Sequence, residues 1–156
     1  MKNLKEKIFY LFIGSVVLLF FFVLPSIADQ AVTFGVRIIY ASNNGTGFDP
    51  KLEDIRPYLT GGALNYSYYN QFQQDTIKTS VGKTATFALP EGKVLELTPM
   101  GIQGGKVRID FKVRDRGKIL EQITLQSTSK GVLFQVLQRG FHLESRVLVI
   151  AIQPLF

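Results

Sequence analysis

The stretch Lys106 to Arg114 does most to constrain the fold. Val107, Ile109, Phe111 and Val113 alternate with Arg108, Asp110, Lys112 and Arg114. In an extended chain this period of two places every apolar side chain on one face and every charge on the other. Such a strand belongs to an antiparallel sheet with one face on a core and one in water.

The same period recurs along the chain. Phe34, Val36, Ile38 and Tyr40 predict a strand that Asn43-Asn44-Gly45-Thr46-Gly47 breaks. Asp49-Pro50 predicts a helix start, because Asp caps free N–H groups and Pro is tolerated in the first turn. Leu52, Ile55 and Leu59 follow at helical spacing, Pro57 keeps the element short and Gly61-Gly62 ends it. This helix, near 49–59, is expected to plug one end of a sheet. Residues 63–79 fit either a strand, with Tyr66 and Tyr68 on one face, or a helix aligning Leu64, Tyr68 and Phe72. Thr84 to Leu89 alternates cleanly, Pro90-Glu91-Gly92-Lys93 is a turn, and Leu95 and Leu97 share a face of the next strand. Arg116-Gly117 and Ser129-Lys130-Gly131 mark further turns. Arg146 to Ile152 is apolar on both faces and predicts a central strand. Seven or eight strands with turns every ten or so residues predict a mainly β fold, an antiparallel β-sandwich or a small barrel.

The N-terminus concerns destination. Lys2, Lys5 and Lys7 precede an apolar run from Ile8 to Leu24, and Ser26 and Ala28 are small residues at −3 and −1 of a cleavage site before Asp29. This order is that of a secretory signal, so residues 1–28 are read as a signal peptide and 29–156 as a single β domain, periplasmic or extracellular. The run has 17 residues, at the lower edge for a membrane span, so a retained inner-membrane anchor is the alternative. About 128 residues remain, enough for one core and too few for a second domain. Cys is absent, which excludes disulfides, a thiol nucleophile and cysteine metal sites. Removing Lys2, Lys5, Lys7 and Glu6 from 18 basic and 12 acidic residues leaves 15 and 11, a net of +4. That surplus favours anionic envelope polymers or lipid headgroups only weakly.

Several patterns suggest chemistry, and most dissolve on inspection. Gly82-Lys83-Thr84 and Gly104-Gly105-Lys106 lack the remaining residues of a phosphate-binding loop and read as hairpin turns. His142, the only histidine, has Glu144 nearby to orient it but no identifiable nucleophile. Asn43, Asn44, Asp49, Glu53 and Asp54 do not follow the spacing of a calcium loop. No cofactor or metal is expected. Tyr66, Tyr68 and Tyr69, interleaved with amides, form a candidate ligand surface, since aromatic faces beside amides can stack on a sugar. Arg108, Lys112 and Arg114 form a candidate partner contact, interrupted by Asp110.

The function expected from these features is an exported, non-enzymatic binding or adaptor module of the cell envelope. Its partner is a protein or a glycan, without nucleic acid, and it meets the membrane only through an uncleaved N-terminal segment. The alternatives are a small outer-membrane barrel and an envelope hydrolase working through carboxylates such as Glu91 or Glu96.

Overall fold

The computed structural model describes residues 30–62, 64–138 and 141–156. The proposed signal segment lies outside them. Among the described residues nine strands form two sheets: β1 (Ala31–Ser42), β2 (Gly47–Phe48), β3 (Tyr68–Ser80), β4 (Ala85–Ala88), β5 (Val94–Gln103), β6 (Lys106–Asp115), β7 (Lys118–Thr128), β8 (Leu133–Leu137) and β9 (Arg146–Leu155). The five-stranded sheet has the order β2-β3-β1-β9-β8 and the four-stranded sheet β4-β5-β6-β7. Every pairing is antiparallel except that of β2 with β3. The two sheets do not close on one another, so the mainly β expectation resolves to the sandwich rather than the barrel. The strand beyond the expected seven or eight is the two-residue β2.

The core between the sheets follows the alternation. Val107, Ile109, Phe111 and Val113 of β6 are buried against Val32, Phe34, Val36 and Ile38 of β1 and Leu148, Ile150 and Ile152 of β9. Burying each such side chain stabilises by about 1.5–3 kcal/mol. β9 lies between β1 and β8 and is covered on both faces, as its unbroken apolar run predicted. Its odd-numbered residues Val149 and Ala151 face away from the first core into a second one.

That second core corrects the expected place of the helix. A 3-10 turn (Pro50–Ile55) runs into a short helix, α1 (Arg56–Thr60), and together they lie on the outer face of the five-stranded sheet rather than plugging an end. Leu52, Ile55 and Leu59 pack there with Ile39, Ala41 and Tyr69. β1 alternates without a break, so the consecutive Ile38 and Ile39 point to opposite faces, one into each core. Opposite them the ladder slips by one residue, and Phe72 of β3 is left unpaired as a bulge. Asp49 caps the 3-10 turn by accepting the Lys51 N–H at 3.0 Å. Pro57 stands at the start of α1, where its missing N–H costs nothing.

Candidate functional site

Of the three tyrosines, Tyr69 is a core residue, while Tyr66 and Tyr68 are half-buried beside it. Tyr69 is fully buried in the second core. Its hydroxyl lies 2.8 Å from the Leu59 carbonyl and 3.0 Å from the Leu64 carbonyl, and it accepts the Tyr66 N–H at 3.2 Å. Burial pushes its phenol above the ordinary value. Tyr66 meets the Tyr69 ring edge-on at 6.1 Å. The Tyr68 ring lies so close to Gly47 that a Cβ there would come within 3.1 Å of it. Tyr66 and Tyr68 are half-buried, so Tyr69 at least offers a ligand no face. The exposed aromatic of this segment is Phe72, set edge-on to Tyr40 at 5.2 Å.

The basic stripe of β6 divides into two parts. Lys112 pairs with Asp110 at 2.6 Å, and Gln122 donates to the same carboxylate at 3.0 Å. The Lys112 ammonium holds the Asp110 carboxyl below its usual range. Arg114 pairs with Glu96 at 2.9 Å and donates to the Gly117 carbonyl at 3.1 Å. Both cations are therefore neutralised within the sheet. Arg108 is exposed and has no ion pair among the described residues, and the same holds for Lys106 two positions earlier on the same face.

Beside these two free cations lies a cleft of about 400 Å³, lined by Met100, Gly101, Gln103, Lys106, Arg108 and Gln126. Its origin is local. The ladder between β5 and β6 slips between Pro99 and Gly101, so that Pro99 faces Ile109 and Gly101 faces Arg108, with Met100 left over as the bulged residue. A bulge re-aims a side chain, and here Met100 points outward, half exposed. Gly101, which has no side chain, leaves the floor opposite Arg108 open, with no atom within 4 Å of where its Cβ would stand. Gln126 faces Arg108 from β7 and supplies an amide to the rim. The site thus offers two cations, amides and the apolar side chains of Met100 and Ile102 around a shallow concavity, and the cations suit it to an anionic group.

The remaining candidates are structural. Gly104 and Gly105 both take positive φ in the β5–β6 hairpin, and Gly82 does so in the turn before β4, so neither glycine pair precedes a helix. Asn43 accepts the Ser67 N–H, Asn44 donates to Ser145, Asp54 pairs with Arg37 and Glu53 pairs with Arg56, which disperses the oxygen ligands of a calcium site. His142 sits in an exposed loop beside Glu91, not Glu144: the Glu91 carboxylate accepts the His142 backbone N–H at 2.8 Å and lies 3.4 Å from Nδ1. The same carboxylate pairs at 2.9 Å with Lys93, whose side chain is buried under the Phe141 ring. Glu91 and Glu96 are each paired with a different cation, Lys93 and Arg114.

Fold and site together define a two-sheet β domain with a basic surface cleft at the β5–β6 bulge. No protein-family model matches the chain, and no curated protein matches its sequence.

Proposed function

We propose that this chain is an exported, non-enzymatic binding module of the cell envelope that holds an anionic partner at the Lys106–Arg108 cleft. The observation that carries this reading is the unequal treatment of cations on one strand. Lys112 and Arg114 are neutralised by Asp110 and Glu96, while Lys106 and Arg108 stand uncompensated beside a concavity. Along β6 the cations without an ion pair among the described residues are thus the ones beside the bulge and the glycine that open the surface. Support for a non-enzymatic role comes from the carboxylates, since Asp54, Glu91, Glu96 and Asp110 are all held in ion pairs. Support for export comes from the basic head, apolar run and small residues ending at Ala28.

Envelope extract passed over the immobilised domain tests this. The partner should elute with salt, as screened charge contacts do. Lys106→Ala/Arg108→Ala should lose it and Lys112→Ala should retain it. Loss on Tyr66→Ala at unchanged melting temperature, with retention by the cleft variant, would move the site to the tyrosines. N-terminal sequencing of the cellular protein checks export, with Asp29 expected as the first residue and Met1 indicating an anchor.

A further inference from the structure

We propose that the end of the sandwich from which β1 starts docks on an anionic lipid bilayer. The proposal rests on the reading of Lys106 and Arg108 as a binding surface and names its partner. The register brings distant segments to this end. Ala31 pairs with Ser80, the Val81 N–H donates to the Gln30 carbonyl, and the Gly82 N–H donates to the Pro99 carbonyl at 2.7 Å. On the other side, Lys106 faces Thr128, the Lys130 N–H donates to Pro154 at 2.8 Å, and Phe156 and Ser129 are hydrogen-bonded to each other.

Two properties coincide there. Lys78, Lys106, Arg108 and Lys130 are exposed, and none has an ion pair among the described residues. The segments 78–84, 98–108, 126–133 and 152–156 contain no Asp or Glu, and the flanking acids Glu96 and Asp110 are held by Arg114 and Lys112. Among these cations three large apolar side chains are exposed: Met100, Leu155 and Phe156. A soluble polyanion would call for the cations alone. Cations together with protruding apolar side chains are what a protein needs to sit in a headgroup layer, the cations at phosphates and the apolar groups just below them.

The sequence gives the same end a reason to be near lipid. Leu24, the last residue of the apolar run, lies seven residues before Ala31. Even fully extended, that stretch spans at most about 25 Å. Before cleavage at Asp29, while the run is in a bilayer, this end of the domain is therefore the one nearest the surface.

Residues 30–156 contain both sheets and both apolar cores, so this fragment is the material for the test. It is sedimented with vesicles of phosphatidylcholine alone and of equal parts phosphatidylcholine and phosphatidylglycerol, and its binding to dextran sulfate is measured alongside. Binding to the anionic vesicles only is expected. Lys106→Glu/Arg108→Glu should weaken it more than about 25-fold, roughly fivefold for each cation lost near an anionic surface and more from the repulsion of the added carboxylates. Met100→Ser/Phe156→Ser should weaken vesicle binding and spare dextran sulfate. Arg116→Glu/Lys118→Glu, an equal charge change in the hairpin at the opposite end, should leave vesicle binding intact. Equal losses from both charge pairs would reduce the effect to net charge and overturn the proposal. Binding to dextran sulfate without vesicles, lost in the Lys106/Arg108 variant, would overturn the lipid partner while the anionic cleft stands. Failure to bind either would remove both.

Discussion

Arg37 and Asp54 form a two-point ion pair, with both guanidinium–carboxylate contacts at 2.6 Å, that ties the outer face of β1 to the 3-10 turn. Arg37 also donates to the Lys51 carbonyl at 3.3 Å, so one side chain holds the covering layer of the second core at two points. Asp54 is largely exposed, which limits the contribution. Asp54→Asn should cost about 1 kcal/mol by denaturant unfolding, the upper end for exposed pairs, because the geometry is bidentate.

Acid should destabilise the domain through identifiable groups. The Arg37 hydrogen bonds hold Asp54 below the usual carboxylate range, Lys93 does so for Glu91, and Lys112 for Asp110. A carboxylate with a depressed folded pKa contributes stability above its unfolded pKa and loses it as pH falls through the folded one. Stability should therefore be flat through neutral pH and decline below about pH 4, where unfolded carboxylates begin to take protons. Urea titrations over that range check this, and Asp54→Asn should make the decline shallower.

Glu91 is held at φ 61, a backbone conformation that disfavours a side chain, and its carboxylate contacts account for its presence there. Removing it leaves the buried Lys93 ammonium without its carboxylate. Glu91→Gln should cost about 2–3 kcal/mol, somewhat less than breaking a fully buried pair, because Glu91 itself is partly exposed. The Glu91→Gln/Lys93→Met double variant should recover part of that loss. A Glu91→Gln protein as stable as wild type would show that the pair holds nothing.

Tyr69 separates packing from hydrogen bonding. Tyr69→Phe keeps the ring and strands the Leu59 carbonyl in an apolar layer, an expected loss of about 1–3 kcal/mol. Tyr69→Ala should cost about 3–5 kcal/mol. Tyr68→Ala should cost less than Tyr69→Ala, because its ring is half-exposed. Thermal melts rank the three.

Phe111 and Lys112 test the register of β6 with adjacent residues. Phe111→Ala empties part of the central core and should cost about 3–5 kcal/mol. Lys112→Ala loses only the Asp110 contact, where Gln122 remains, and should stay within about 1 kcal/mol.

The strands were readable because their information is local. In β6 and β9 the alternation or its absence reports how many faces are buried, and the structure agrees at each residue. The helix was readable for its start at Asp49 and its apolar spacing, but not for its position. Leu52, Ile55 and Leu59 specify an apolar stripe, and only the second core, built with Ile39, Ala41 and Tyr69 from the outer sheet face, shows which surface receives it. The free cations were hidden for the same reason. Lys112, Arg114 and Arg108 look alike along the chain, and what distinguishes them is a neighbour such as Glu96, supplied by strand pairing from 18 positions away. Met100 became exposed through a bulge that Pro99 and Gly101 hint at without fixing. His142 likewise took its partner from Glu91, 51 residues distant, rather than from Glu144.

Hydrogen–deuterium exchange on residues 30–156, with and without the anionic vesicles, tests the central claim most directly, because it locates the contact without assuming it. The account predicts slowed exchange in 98–108 and 128–131 on binding, with 64–72 unchanged. Protection confined to 64–72, or none at the β5–β6 hairpin in a bound sample, would contradict it.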